Sequence, residues 1–135
     1  MPGWLHERLA EALARTAILA GAKVFREHPV RIGQRTLFAD LVVRYGGRVG
    51  LVEVERSWDR VAADVEKATA LGARFLLVAT PDRHTAAAVE RAVARIREGP
   101  GRPEPPIVVA PYAQAIKALN QLLTLDDVLV GRPVQ

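Results

Sequence analysis

The sequence predicts an α/β domain with a mixed central sheet that is flanked by helices on both faces. Two aliphatic runs flank Gly46 and Gly47, a pattern typical of a β-hairpin. Residues 75–79 form a short, continuous apolar run of the kind found in buried parallel strands. Segments with apolar residues at helical spacing precede and follow these strands. With 135 residues, half of them hydrophobic, the chain is long enough to bury the core of such a domain.

The N-terminal part of the chain predicts one helix and one strand. Residues 3–20 repeat leucine at helical spacing, and Gly21 follows as a C-terminal stop. Residues 22–32 alternate apolar and polar side chains, which favours a first strand that is broken or bulged near Pro29. The expected buried stripe of the helix consists of Leu5, Leu9, Leu13 and Thr16.

The segment around Gly46 and Gly47 predicts the second and third strands. A type I′ turn needs positive φ at both central residues, and glycine adopts such angles without steric cost. A two-residue loop fixes the register, so that the residue numbers of every cross-strand pair have the same sum. Asp40 is therefore expected opposite Glu53, unless a bulge near Gly50 shifts the register.

The chain after the hairpin predicts a helix and a buried parallel strand. Ser57 or Asp59 is expected to cap the helix, and Gly72 to end it. The strand at residues 75–79 then pairs in parallel with the third strand, because the helix between them forms a crossover connection. The expected buried stripe of this helix consists of Val61, Val65, Ala68 and Leu71.

The last third of the chain predicts two more helices and one more strand. Residues 80–82 read as a helix start with proline in the first turn. A strand at residues 107–110 and a helix at residues 112–123 complete the fold. The predicted organisation is one domain over residues 1–123, followed by a loosely ordered C-terminal tail over residues 124–135.

Charge and residue usage narrow the classes of partner and compartment. Lysine and arginine outnumber acidic residues by 19 to 15, and the resulting net charge of +4 favours an anionic partner such as nucleic acid. The chain has no cysteine, which excludes disulfides and a thiol nucleophile and fits a reducing, cytoplasmic setting. Charged residues interrupt every apolar stretch near the N-terminus, so we expect neither export nor a membrane segment.

Three carboxylates are expected to converge on one face of the hairpin. Glu55 lies two residues beyond Glu53 and points to the same face, and Asp40 lies opposite. Such a cluster is unfavourable unless a cation or shared protons neutralise it, and hard oxygen ligands suit Mg²⁺ or Mn²⁺. The alternative is an exposed strand end where these carboxylates pair with arginines. Against that alternative, the opposite face of the hairpin is also apolar, with Leu41, Val43, Val52 and Val54.

The order of helix, three-strand meander, helix and strand, with acidic residues on the second and third strands, resembles the PD-(D/E)XK nuclease superfamily. Ala39 and Asp40 match its first motif, with alanine where the family often has proline. Glu53-x-Glu55 matches the (D/E)-x-K motif, with glutamate in the lysine position. The resemblance covers roughly residues 4–79 and implies a restriction-endonuclease-like αβββαβ core.

The resemblance also implies metal-dependent hydrolysis of phosphodiester bonds. Asp40 and Glu53 would hold Mg²⁺ or Mn²⁺, and Glu55 would be a further ligand or would orient and deprotonate the attacking water. A few branches of the superfamily carry Glu-x-Glu and are active. In other branches the lysine has moved to the following helix, where Lys67 is the candidate, the alternative being an ordinary exposed lysine. Glu7 matches the helical glutamate that assists the metal, although a helical wheel places it away from the leucines, as a solvated residue would be.

The remaining candidate residues are cations and histidines. Arg56 and Arg60 follow the acidic end of the third strand and would neutralise phosphates on either side of the cut. The alternative for both is a solvated arginine at a helix start. His6, His28 and His84 have no metal-ligand spacing and are expected to be surface or packing residues.

These patterns leave two functions open. A third interpretation is an α/β domain that has no role with nucleic acids. The first is a Mg²⁺-dependent endonuclease, with DNA rather than RNA as the expected substrate. The second is a catalytically decayed module of the same fold that binds DNA or a protein partner without cleavage. The chain has no separate domain for sequence recognition, so either function is expected to need a homodimer or a larger protein partner.

Overall fold

The computed structural model describes residues 2–99 and 105–129 of the chain. The strands are β1 (Lys23–Ile32), β2 (Arg35–Tyr45), β3 (Arg48–Val54), β4 (Leu76–Thr80) and β5 (Ile107–Pro111). The helices are α1 (Pro2–Leu19), α2 (Val61–Leu71), α3 (Arg83–Glu98) and α4 (Tyr112–Leu129), and a 3₁₀ turn (Trp58–Arg60) precedes α2. Among the described residues, no helix combines the length and apolar character needed to span a lipid bilayer.

The five strands form one mixed sheet in the order β1-β2-β3-β4-β5. The first three strands are antiparallel, and β4 and β5 run parallel to β3. Leucines and alanines of α1 and α4 pack on one face of the sheet, and apolar residues of α2 and α3 pack on the other. The predicted α/β fold with helices on both faces of a mixed sheet is therefore confirmed.

The hairpin forms with the predicted register. Tyr45 pairs with Arg48, and the pairing continues past Gly50 without a bulge. Gly46 and Gly47 have φ angles of +53° and +77°, as a type I′ turn requires. Both faces of the hairpin are covered by helices, which makes β3 a central strand.

The first strand is continuous, so the predicted break or bulge near Pro29 is wrong. The register that pairs Lys23 with Arg44 at one end of the strand is unchanged at the other end. β1 lies at the edge of the sheet, where a residue without an N–H group is tolerated. The irregular backbone lies at Glu27, which has a φ of +47°.

The end of α2 is predicted correctly, but details at the starts of α2 and α3 are not. α2 ends at Gly72, which has a φ of +62°. Asp82 caps α3 by accepting a hydrogen bond of 2.7 Å from the Thr85 amide, so the preceding proline lies outside the helix and not in its first turn. The predicted cap of α2 is wrong: the Ser57 hydroxyl donates to the Asp59 carboxylate, and no side chain of this described segment caps the helix.

The last helix is longer than predicted. α4 continues from Tyr112 to Leu129, past the expected end at residue 123. No glycine or proline interrupts residues 124–130, so the sequence contains no stop signal there. The part of the predicted tail that follows Leu129 lies outside the described residues.

Gly50 lies against the ring of Phe75, and a larger residue there is expected to destabilise the fold. A Cβ atom at position 50 would lie 2.2 Å from a ring carbon, and the buried ring has little room to move. We expect Gly50→Ala to lower the free energy of unfolding by about 1–3 kcal/mol in urea titrations. Adding Phe75→Leu should recover part of this loss. Equal stability of Gly50→Ala and the wild type would contradict the packing.

Candidate metal centre

Three buried carboxylates meet where the end of β3 faces α2. Oxygens of Glu53, Glu55 and Asp64 all lie within 4.8 Å of one another. The three residues are only 2%, 6% and 1% exposed. This burial rules out the alternative in which Glu53 and Glu55 belong to a solvent-exposed strand end.

Strand alternation and the buried side of α2 bring these carboxylates together. Glu53 and Glu55 point to the same face of the sheet because side chains alternate along a strand. α2 packs on this face, and Asp64 lies about one turn after Val61 on the buried side of the helix. Asp64 was not among the site residues that the sequence predicted, and it is the residue that completes the cluster.

Lys67 lies in this cluster with its ammonium group between two carboxylates. Its Nζ is 3.1 Å from Glu53 Oε2 and 3.3 Å from Asp64 Oδ1, and it donates to the Phe38 carbonyl at 2.9 Å. The sequence placed Lys67 off the buried stripe of α2 and Val65 on it, but Lys67 is buried and Val65 only half-buried. The structure thus brings Lys67 to the carboxylates, and its catalytic role stays a prediction.

Asp40 lies beside the cluster, with its carboxylate held by two groups. Its Oδ2 accepts a hydrogen bond of 2.8 Å from the Val54 amide and lies 3.3 Å from His6 Nε2. Burial alone would raise the pKa of Asp40, but the hydrogen bonds from His6 and Val54 outweigh it and lower the pKa below its ordinary value. Asp40 is therefore a stable carboxylate next to Glu53.

The first helix contributes His6 to this site in place of Glu7. The hydrogen bond to Asp40 raises the pKa of His6, which lines the cavity described below and is not a simple surface or packing residue. The side chain of Glu7 is 60% exposed and pairs with Arg26 at 3.2 Å, so the structure does not bring it to the carboxylates. The buried stripe of α1 is rotated away from Thr16, which turns His6 inward. It consists of Leu9, Ala10, Leu13, Ala14 and Ala17.

Burial and neighbouring charges raise the pKa values of Glu53 and Asp64. Burial raises the pKa of Glu53, the charge of Asp40 adds to this effect, and Lys67 opposes it. Burial also raises the pKa of Asp64, with a further contribution from its contact with Glu55. For Lys67, burial acts to lower the pKa, but the charges of Glu53 and Asp64 outweigh it and raise the pKa. The metal-free site therefore retains protons on Glu53 and Asp64 while Lys67 stays charged.

An open cavity of about 440 Å³ leads to the cluster. Its buried lining includes Glu53, Glu55 and Lys67, whereas Asp64 is buried and is not part of the lining. The predicted phosphate-binding residues Arg56 and Arg60 also line the cavity and are exposed, so they form part of its rim. The cavity therefore connects the carboxylates to solvent past two arginines.

The donor set fits a hard divalent cation. Two oxygens bound to one Mg²⁺ are at most about 4.2 Å apart, and two bound to one Ca²⁺ about 5 Å, so the cluster needs only small side-chain movements to bind an ion. Lys67 lies 3.3 Å from one oxygen of Asp64, but neither oxygen accepts a hydrogen bond from a described residue. A buried carboxyl group without hydrogen-bond partners is unfavourable whether or not it is ionised. A cation bound by Glu53, Glu55 and Asp64 would remove this cost.

Comparisons with known proteins leave the family open. No protein-family model, curated protein or solved structure matches the chain. The buried carboxylate cluster on a five-stranded mixed sheet is therefore the basis on which function has to be argued.

The raised carboxyl pKa values make the stability of the metal-free protein depend on pH. The pKa values of Glu53 and Asp64 exceed the value near 4 of unfolded chains, so the folded protein holds protons that the unfolded chain releases. We expect the free energy of unfolding to fall between pH 5 and 8, by up to about 1.4 kcal/mol per pH unit for each proton. The raised pKa of His6 also makes the free energy of unfolding fall as the pH rises. The lowered pKa of Asp40 changes this free energy only below about pH 4.

Urea unfolding in the presence of a chelator measures this dependence. Asp64→Asn should reduce the slope, because it removes one of the two carboxyl groups with a raised pKa. Asp59→Asn is the matched control, since Asp59 is exposed on the rim of the same cavity. A wild-type stability that increased from pH 5 to pH 8 would contradict the assignment of protons to the cluster.

Proposed function

We propose that this protein is a divalent-cation-dependent DNA endonuclease of the PD-(D/E)XK type. The observation that carries the proposal is the cluster of Glu53, Glu55 and Asp64, buried beside an open cavity with arginines on its rim. Grouped carboxylates are a common protein site for the metal ions that assist phosphodiester hydrolysis. Support also comes from the position of the cluster on the third strand of a meander, beside Asp40 of the second strand.

The buried charged residues of the cluster and the neighbouring Asp40 each have a task in this proposal. Glu53, Glu55 and Asp64 hold the cation, and Asp40 adds a further carboxylate beside them. A bound Mg²⁺ would supply polarisation of the scissile phosphate and would lower the pKa of a bound water. Lys67 has a raised pKa and keeps its proton, so it provides a fixed positive charge for the developing negative charge and does not act as a general base.

The rim of the cavity is suited to a phosphate backbone. Arg56 and Arg60 present guanidinium groups, which bind phosphate oxygens in a two-pronged geometry. His6 has a raised pKa and donates from Nε2 to Asp40 when protonated, which orients that carboxylate toward the cavity. The net charge of +4 favours a polyanionic substrate, and DNA is the substrate class that the resemblance implies.

A catalytically inactive module that binds DNA or a protein partner is the second candidate, and Lys67 is the observation that favours it. The ammonium group lies 3.1 Å from Glu53 and 3.3 Å from Asp64, where it already neutralises part of the cluster. A lysine that occupied the position of the cation would stabilise the fold and leave no hydrolytic centre.

Nicking of supercoiled plasmid and cutting of branched DNA test the proposal. We expect the wild type to cleave with Mg²⁺ or Mn²⁺ and to be inactive in EDTA. Glu53→Gln and Asp64→Asn should remove cleavage while circular dichroism shows that the fold is retained. Glu66→Gln is the matched control, because Glu66 is an exposed carboxylate of α2 that pairs with Arg35, and this variant should cleave like the wild type.

The outcomes separate the two candidate functions. Cleavage that persisted in both Glu53→Gln and Asp64→Asn would place the activity outside this cluster and overturn the endonuclease proposal. Salt-dependent DNA binding without cleavage under any divalent cation would favour the inactive module.

A further inference from the structure

A second groove lies between the 3₁₀ turn and α3, next to the carboxylate cavity. It has a volume of about 400 Å³ and is lined by Trp58, His84, Ala88, Arg91, Ala92 and Arg95. Trp58 is 54% exposed. An exposed indole that faces a groove is a surface on which a planar group can stack. We call this surface the Trp58 groove.

One face of α3 forms most of the Trp58 groove. The lining positions of α3 follow the spacing i, i+4, i+7, i+8 and i+11, so they share one side of the helix. The small side chains of Ala88 and Ala92 leave the floor open. Arg91 and Arg95 lie about one turn, roughly 6 Å, apart along the helix axis. Within the part of the chain that the structure describes, neither arginine forms an ion pair with a carboxylate, and no acidic residue lines the groove.

The 3₁₀ turn separates the Trp58 groove from the candidate metal centre, so the two lie side by side. Ser57 and Asp59, the chain neighbours of Trp58, both line the carboxylate cavity. α3 follows β4, whose C-terminal end lies beside that of β3 in a parallel pair. A polymer that left the cavity across the 3₁₀ turn would therefore meet Trp58 and His84 first, and the two arginines of α3 next.

We propose that the Trp58 groove binds a single-stranded nucleic-acid segment that extends from the site of cleavage. A base would stack on Trp58, and phosphates of the same strand would contact Arg91 and Arg95. Proteins that bind single strands combine an aromatic stacking surface with basic groups along the backbone in this way. The bases of a duplex are already stacked on one another, so the groove selects DNA with a single-stranded flank. The direction of the strand toward the metal centre rests on the proposed endonuclease function.

Tryptophan fluorescence tests the stacking contact. The chain has two tryptophans, so Trp4→Phe leaves Trp58 as the single reporter. In EDTA, where no cleavage occurs, a short oligothymidine is expected to quench the emission of Trp58. A duplex of the same length should change the emission little at the same concentration. No quenching by the single strand at saturation, or equal quenching by the duplex, would overturn the proposal.

Binding measurements separate stacking from phosphate contacts. Trp58→Leu is expected to weaken single-strand binding by about five- to a hundredfold with little change in its salt dependence. Arg91→Ala and Arg95→Ala should each reduce the slope of log affinity against log salt concentration by about 0.7. Arg83→Ala is the matched control, because it makes the same charge change on α3 outside the groove. Equal losses in the Arg83 and Arg91 variants, or wild-type binding by all of them, would show that the strand binds elsewhere.

Failure of this proposal differs from failure of the endonuclease proposal. If the wild type cleaves DNA and Trp58→Leu keeps the wild-type ratio of cleavage between flanked and fully duplex substrates, the groove has no role and the nuclease function stands. If no DNA is cleaved but single strands quench Trp58, the groove is a binding site and the nuclease function fails.

Discussion

Replacing Lys67 with methionine is expected to lower the free energy of unfolding of the metal-free protein by about 1–3 kcal/mol at pH 8. The substitution keeps a long, unbranched side chain but removes the ammonium from its positions 3.1 Å from Glu53 and 3.3 Å from Asp64. It also removes the hydrogen bond to the Phe38 carbonyl. The pKa of Glu53 is about 8 beside that ammonium, so part of this residue is ionised at pH 8. Without the cation, Glu53 must take up a proton or the site must open.

Control variants distinguish a buried counter-ion from a general effect of removing a lysine. Lys117→Met makes the same change at an exposed position of α4 and should alter the stability by no more than about 0.5 kcal/mol. The loss in Lys67→Met should shrink toward pH 5, since protonation then neutralises the carboxylates. Adding Glu53→Gln should recover part of it, because the two residues are in contact. Equal stability of the two methionine variants at pH 8 would show that Lys67 does not neutralise the cluster.

The hairpin is the part of the site that the sequence predicts in detail, because its geometry depends on local rules. The loop of Gly46 and Gly47 fixes the register, and the side-chain period of two fixes the faces. Glu53 and Glu55 therefore share one face as the sequence predicts, and Asp40 lies beside them at the Val54 amide, although Asp64 and not Asp40 completes the cluster. A single slip of register would have moved both glutamates to the opposite face, so the absence of a bulge in this described hairpin is decisive.

Which helix side chains reach the site depends on the rotation of each helix about its axis. The local sequence pattern defines this rotation poorly. Neighbouring residues differ by about 100° around a helix, and packing against the sheet selects the buried side. In α1 this selection brings His6, and not Glu7, to the cavity. In α2 it buries Asp64 more deeply than Val65. Asp64 follows Val61 by three residues and Val65 follows it by four, and both spacings place a residue on the same side of a helix as Val61. The sequence signal for Asp64 is therefore an acidic residue at a position that can share the buried side of the helix.

Lys67 links the stability of the site to its metal binding. The oxygens that its ammonium contacts belong to Glu53 and Asp64, two members of the candidate cation site. A cation bound at the cluster must either share these oxygens with the ammonium or displace it. Stability measurements with and without a divalent cation distinguish these cases. They need no substrate.

Mn²⁺ is expected to raise the free energy of unfolding of the wild type by about 2.7 kcal/mol at a hundredfold excess over its Kd. The reason is that the cluster forms only when β3 and α2 pack together, so the ion binds the folded state. Asp64→Asn should lose most of this gain and leave the metal-free stability little changed or higher, because it removes a carboxyl group whose ionisation burial opposes. Asp59→Asn, on the exposed rim, is the control that should keep the gain. Thermal unfolding with Mn²⁺ and with EDTA measures all of these effects.

The response of Lys67→Met to Mn²⁺ shows how a wild type that Mn²⁺ does not stabilise is to be interpreted. If Mn²⁺ stabilises both the wild type and Lys67→Met, the lysine lies beside the cation, as the endonuclease function requires. If Mn²⁺ stabilises only Lys67→Met, the ammonium occupies the place of the cation in the wild type, and the inactive binding module is favoured. If Mn²⁺ stabilises neither protein, Glu53, Glu55 and Asp64 do not form a cation site, and the endonuclease proposal fails with it.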